Sequence, residues 1–398
     1  MHPLDQISLG KIVQIRERLF QAQAAGQTVY RLESGDPNFS PAPHVLDAVD
    51  QAARAGKTHY IPNDGIPELR KALAEKLRTK NKISWVTDKN VFLTNGAMHA
   101  LFVTFATLLT PGDEVIIPDP MWTEVAENIR LAGGVTVGVP LRAEEDFEYR
   151  PAEIEARITA KTKVIFLNTP QNPTGAVLSE ATLREIIAIA KRHNLYIVSD
   201  EAYEDVIYAP AVHHSIASLA PEYAEKIISI FSFSKSYAMS GLRTGYIVTG
   251  EPVLLDRIPK LLRCTINGVN SLAQWAAVSA VTGPQDQLDM MRGEYLKRRD
   301  LLIEALQGIE GVKPFTPKGS FFVWAELDPS LYERLGVEDA DGVSSLLASQ
   351  GIGSAPGDAF GETCLNAIRF SFSCATPMVE AGAAALRRVL TESSTVAV

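Results

Sequence analysis

Hydrophobic positions change their period along the chain. Residues 9–25 repeat at helical spacing and stop at Gly26, which predicts an amphipathic helix. The stretch TVYRLESGDPNFSPAP follows as a short extended piece and a Gly/Pro-rich loop. From about residue 46 onward, short apolar runs alternate with helical stretches. VFLT (91–94) leads into the helical ALFVTFATLL, and EVIIP (114–118) into a helix over 122–132. KVIFLN (163–168) leads, after a loop, into LREIIAIAKRH. LYIVSD (195–200), KIISIFS (226–232) and TGYIVTG (244–250) complete the set. Strands alternating with helices imply βαβ units and a mostly parallel sheet. Several of these strands run straight into polar or Gly-rich text: TNGAMH, NTPQNPTG, SDEAYE and SFSKS. Open α/β sheets bind ligands at the carboxyl ends of their strands, so the chemistry is expected along one sheet edge.

After about residue 285 the texture shifts. MRGEYLKRRDLLIEALQG reads as a charged amphipathic helix, GSFFVWAEL (319–327) as a strand. A helix near 341–350, a strand near 366–372 and a final helix over 377–391 follow. This predicts three parts: an N-terminal arm, 1–45, joining a small domain; a large domain, 46–285; and a small α+β domain, 286–398. TESSTVAV reads as a frayed tail.

Bulk properties narrow the function. The chain has 398 residues, enough for two cores. With 46% hydrophobic and 21% charged residues it reads as an ordinary globular protein, not a disordered one. Its formal charge of -9 offers no footprint for nucleic acid or anionic lipid, so neither is an expected partner. The N-terminus lacks the pattern of a signal peptide, and no run reaches the ~18 apolar residues of a membrane span. Cys264, Cys364 and Cys374 are odd in number and lack metal-ligand spacing. Reduced cysteines in a cytoplasmic protein, with no metal site, are expected.

Four stretches can carry chemistry. In SFSKSYAMSGLRTGY (232–246), Lys235 follows an apolar strand and sits among Ser232, Ser234 and Ser236. A lysine that acts as a nucleophile needs desolvation or a positive neighbour to lose its proton. Ser232, Ser234 and Arg243 make a plausible phosphate cradle. The alternative is a lysine and an arginine on an exposed loop. In SDEAY (199–203), Asp200 is delivered to the ligand edge, where a carboxylate can hold the proton of a pyridine ring nitrogen and Tyr203 can reach the ring's phenolic oxygen. The alternative for Asp200 is a helix N-cap. NTPQNPTG (168–175) is a rigid turn with or without a ligand. TNGAMHAL (94–101) opens a helix whose N-terminal amides suit a phosphate, and Trp122 can stack on a planar ring or fill a core.

Together these stretches resemble the class I/II pyridoxal-phosphate (PLP) dependent aminotransferases of fold type I, the aspartate aminotransferase superfamily. The likeness covers nearly the whole chain, through SxSK…GxRxG, NPTG and D-x-x-Y. It implies an α/β fold: a large domain with a mostly parallel seven-stranded sheet between helices, plus a smaller α+β domain. It implies pyridoxal 5'-phosphate as cofactor, bound as a Schiff base by Lys235, with Lys235, Asp200 and Tyr203 as the catalytic group. Asn172 and Tyr203 match the partners of the phenolic oxygen. Ser232, Ser234 and Arg243, with Gly96, Ala97 and Met98 in the helix-opening turn, match the phosphate end. Trp122 matches the stacking aromatic, Arg369 the clamp for the substrate α-carboxylate, and Gly35 a backbone lying over the substrate with Trp122 and Asn172. Tyr60 matches a tyrosine that reaches the neighbouring subunit, so a homodimer is implied.

The implied reaction is ping-pong transfer of an amino group from an L-amino acid, aspartate-type or broadly accepted, to a 2-oxo acid such as 2-oxoglutarate. A lyase, or an enzyme resembling aminocyclopropane-carboxylate synthase, is the alternative on the same fold. Three positions depart from the pattern: Leu242, Thr244 and Met98. Met98 stands where one aspartate-specific branch carries a lysine for the distal carboxylate. An arginine such as Arg31 or Arg263 could read that carboxylate instead; the alternative for both is a surface or interface arginine.

Overall fold

Period-two alternation sets the centre of the molecule. In the strand Thr162–Asn168, Ile165 and Leu167 join one buried cluster while Val164 and Phe166 join another. Both faces of this strand are therefore covered. The computed structural model describes residues 3–7 and 10–392. The strands of its larger sheet are β1 (Val91–Thr94), β2 (Glu114–Asp119), β3 (Val135–Pro140), β4 (Thr162–Asn168), β5 (Tyr196–Asp200), β6 (Ile227–Ser232) and β7 (Gly245–Thr249). They lie in the order β1-β7-β6-β5-β4-β2-β3. Only β7 is antiparallel to its neighbours, β1 and β6. The remaining pairs are parallel and need crossovers, which helices such as Thr123–Leu131, between β2 and β3, and Glu180–His193, between β4 and β5, supply. Leu69, Leu73, Leu183 and Ile186 cover one face, and Phe105, Val125, Ile129 and Ile258 the other. Burying each such side chain stabilises the fold by about 1.5–3 kcal/mol.

A second sheet holds β8 (Val312–Phe315), β9 (Phe322–Leu327), β10 (Ala355–Pro356) and β11 (Ala367–Ser371), in the antiparallel order β10-β11-β9-β8. Helices Asp286–Leu306 and Thr376–Thr391 pack around it through Tyr295, Leu302, Val379 and Leu386. Leu32, from near the N-terminus, is buried in the same cluster, and Tyr30 bridges Ile352 in parallel.

Two sequence expectations need correction. β3 was not anticipated, because VTVGVP follows two glycines and lies at the sheet edge with several positions open to solvent. The strand expected over 319–327 begins at Phe322, because Ser320 adopts a left-handed backbone (φ 56). Lys318 and Gly319 instead donate to the Gly175 carbonyl of the NPTG turn, each at 2.9 Å, and Ser320 to the Val206 carbonyl at 2.8 Å. Of the tail expected over 391–398, residues 393–398 lie outside the described residues. Among the described residues no helix is long and apolar enough to cross a membrane.

β7 runs against the turn between β1 and its helix, and the fit there requires a glycine. A Cβ on Gly245 would stand 2.7 Å from the carbonyl carbon of Gly96 and 2.8 Å from the nitrogen of Ala97. Both are backbone atoms that cannot swing aside. Gly245→Ala is expected to lower stability by about 1–3 kcal/mol. Thermal denaturation measures this, and an unchanged melting temperature contradicts the close packing.

Candidate active site

The carboxyl ends of β4, β5 and β6 deliver Asn168, Asp200 and Ser232 side by side. A cavity of about 580 Å³ opens there, bounded on its far side by Gly35, Phe322 and Arg369.

Lys235 sits on a one-turn helix, Phe233–Ser236, directly after β6. The Ser232 hydroxyl caps this turn, accepting from the Ser234 amide at 3.1 Å. The Lys235 amine donates to the Gly35 carbonyl at 2.6 Å and lies 5.8 Å from the Tyr203 ring centre. Its pKa falls to about 8: burial is the main cause, Arg243 and Arg369 push the same way, and Asp36 and Asp200 oppose them. Lys76 gives the contrast. It is also buried, but Glu204 and Asp205 outweigh the burial and hold it charged. Lys235 makes no such carboxylate contact, so its amine is the one readied as a nucleophile at moderate pH.

Asp200 accepts from the Ala202 amide at 3.1 Å and is 9% exposed. Burial, with Glu201 adding to it, raises its carboxyl to about 6. Of the two expectations for Asp200, the capping one does not hold: no regular helix follows, only turns over 202–205. Tyr203 is buried edge-on between Phe321 and Phe322, and burial pushes its phenol up.

The opposite end is shaped for an anion. Gly96 has φ 82 and caps the helix Ala97–Leu108. A Cβ there would come within 2.4 Å of the Arg243 guanidinium. Arg243 has a left-handed backbone (φ 52), which costs on the order of 1–2 kcal/mol. It donates to the carbonyls of Ser240 at 2.8 Å and Asn95 at 3.3 Å, with no carboxylate partner among the described residues. Helix N-terminus, guanidinium and the Ser232 and Ser234 hydroxyls can hold a phosphate together.

Arg369, in β11, is 1% exposed. It donates to the Asn172 side-chain oxygen at 2.9 Å and to the Glu33 carbonyl at 2.8 Å. Phe322 and Phe360 lie 4.2 and 4.9 Å away, and its Nε has no partner. Burial lowers it to about 10. A buried guanidinium bonded only to neutral oxygens favours an incoming carboxylate. Because Asn172 turns its oxygen to Arg369, its NH2 remains for a ligand in the crevice.

Other expected residues fall out as follows. Gly35, Ala97, Met98 and Trp122 line the crevice. Tyr60 does not, and is 90% exposed. Arg31 lines the rim; Arg263 does not, and is exposed on the helix Pro252–Thr265. Sequence reasoning missed Glu33 and Phe322, and also Ile12, Arg16 and Phe20 on the first helix. The four-residue spacing of the last three was the available signal.

The family model for Aminotransferase class I and II matches residues 27–386. The chain belongs to the class I and II aminotransferases. An aspartate aminotransferase from Musicola paradisiaca is 36% identical over 97% of this chain and 95% of its own. An aspartate/prephenate aminotransferase from Thermus thermophilus is 37% identical over 80% of this chain and 81% of its own. Among solved structures, the Rhizobium meliloti aspartate aminotransferase superposes with a TM-score of 0.94 at 28% identity, covering 99% of each chain. The Thermus thermophilus aspartate aminotransferase with maleate gives 0.90 at 32%, covering 98% of this chain and 99% of that one. This aminotransferase is a PLP-dependent transaminase, and a lyase on the same fold is not favoured. The crevice fits that cofactor in its own terms. It offers a cradle that only glycine leaves open, a fork for a phosphate, a carboxyl held near neutrality and an amine of lowered pKa.

The raised carboxyl has a measurable consequence. The folded Asp200 binds its proton more tightly than the unfolded one, so its contribution to stability is full below about pH 4 and is lost as pH rises through about 6. Asp200→Asn has no charge to bury. The cofactor-free variant is expected to melt above the wild type at about pH 8, with the gap closing toward about pH 4. Calorimetry across that range tests it, and a pH-independent gap contradicts the burial.

Proposed function

We propose that this aminotransferase works through Lys235, moving an amino group from an acidic or broadly accepted L-amino acid to a 2-oxo acid such as 2-oxoglutarate. The observation that carries the reading is the Lys235 amine, bonded only to the Gly35 carbonyl among the described residues and sharing one crevice with Asp200 and Arg369; burial there lowers its basicity. Pyridoxal phosphate, when bound, supplies a protonated ring that withdraws electrons from a breaking Cα–H bond.

The protein's part is positioning and proton transfer. Asp200 holds a proton at the ring nitrogen. Tyr203 and the Asn172 amide donate to the phenolic oxygen. Ser232, Ser234, Arg243 and the amides of Gly96, Ala97 and Met98 hold the phosphate, and Trp122 covers the ring. Arg369 fixes the substrate α-carboxylate, and the Gly35 backbone lies over the substrate. The Lys235 amine would take the substrate α-proton as general base and deliver it again as general acid. The exposed Tyr60 suits a role in a partner's crevice, so the working form is a homodimer. We place its boundaries at 45 and 285, with residues 1–45 joining the smaller domain. Three unpaired cysteines favour the cytoplasm.

Lys235→Ala is expected to cut turnover by about 10²–10⁴-fold or more while circular dichroism stays unchanged. Near-native turnover in that variant sinks the reading. Sedimentation is expected to give a dimer, and Tyr60→Phe to weaken cofactor retention. A monomer with full activity contradicts the shared site.

A further inference from the structure

We propose that Arg31, supported by Arg16, forms a second anion subsite at the crevice rim and takes the distal carboxylate of a dicarboxylic substrate. This deepens the reading above and rests on it for the assignment of Arg369 to the α-carboxylate.

The rim residue is built into place. The Arg31 Nε is ion-paired to the Glu33 carboxylate, and its guanidinium lies 4.6 Å from the Phe20 ring centre. A guanidinium held at Nε and stacked on a ring has given up most of its rotamer freedom. Its two terminal nitrogens have no partner among the described residues, and the side chain remains 25% accessible where it lines the crevice. The terminal pair is the part of an arginine that binds a carboxylate in bidentate fashion.

One residue fixes both arginines. The Glu33 side chain orients Arg31, and its carbonyl accepts from Arg369. The Leu32 carbonyl accepts from the Ser371 amide at 2.6 Å, and Leu32 itself is fully buried. The segment 31–33 is thus fastened to β11, so the separation of the two guanidinium groups is set by backbone.

Charge favours an acid at this end. Glu33 balances Arg31, which leaves Arg16 as uncompensated positive charge. Arg16 is exposed on the helix Lys11–Ala24, four residues from Ile12 and from Phe20, and lines the crevice without a partner among the described residues. Asp36 also opens onto the crevice, but its charge acts on Lys235. Met98, in the first turn of its helix, brings no cation. The other walls are apolar, from Ile12, Phe20, Leu101 and Trp122, and would suit a monocarboxylic substrate if the rim were idle.

The test uses the cofactor-loaded enzyme and Arg31→Ala, with Arg31→Gln as the variant that keeps the stem over Phe20 should the first fold poorly. Steady-state kinetics with aspartate and glutamate are compared with alanine and phenylalanine. Binding of succinate and of propionate is measured by calorimetry. Arg31→Ala is expected to lower kcat/KM for the dicarboxylic pair roughly 10- to 100-fold, mainly through KM, and to weaken succinate by a similar factor. Alanine, phenylalanine and propionate should change by less than about threefold. Arg16→Ala should give a smaller loss of the same selectivity. Equal losses for both classes, or none, overturn the subsite and leave the transaminase reading standing. Absence of turnover with any amino acid in the wild type would count against that reading instead. In that case succinate binding still decides: loss on Arg31→Ala supports the subsite, and unchanged or undetectable binding overturns it.

Discussion

An amine, a carboxyl and a guanidinium are kept from water in one crevice, and burial there disfavours the charged form of each. Lys235 loses basicity, Asp200 gains it, and Arg369 is surrounded by rings and neutral oxygens. Among the described residues no ion pair relieves any of the three. The cost of burying such a charge is still several kcal/mol after relaxation. Two separate cores offset it. Asp200 and Lys235 hang from the ends of β5 and β6, whose side chains are sealed on both faces of the larger sheet, and Arg369 projects from β11 of the smaller one. The site is a place where stability is given up for reactivity.

The same chain shows how a buried lysine is treated when no chemistry is wanted from it. Lys76 meets Glu204, donates to the Tyr246 hydroxyl at 3.1 Å and lies over the Phe231 ring. Glu204 in turn accepts from Asn81 at 2.6 Å. Every polar atom offered to that amine stabilises its charge. Around Lys235 the nearest acceptor is a single carbonyl, and two arginines oppose the charge. The difference between a structural and a reactive lysine lies in partners, not in depth.

What could be read from the sequence follows this geometry. Asp200, Tyr203, Ser232, Ser234, Lys235 and Arg243 sit on strand ends and the turns after them, so local spacing exposed them. The sheet was legible where both faces are apolar, as in β4, and not at its edge, where β3 mixes exposed and buried positions. The partners of Arg369 were not legible, because one hydrogen bond joins it to a residue 336 positions away. Glu33, Arg16 and Phe20 were missed for the same kind of reason: Glu33 meets β11 across the chain, and Arg16 and Phe20 reach the crevice only when their helix packs on β10 and the helix Ala340–Ser349. Arg31 and Arg263 looked alike as isolated arginines, and only the fold separated the rim residue from the surface one.

The central claim is that Lys235, and not another buried lysine, carries the cofactor. Borohydride reduction of the protein loaded with pyridoxal phosphate, followed by peptide mass mapping, tests this most directly. The account predicts one pyridoxyl group per chain, on Lys235. A label on Lys76 or elsewhere, or a wild-type protein that binds the cofactor without becoming labelled, would contradict it.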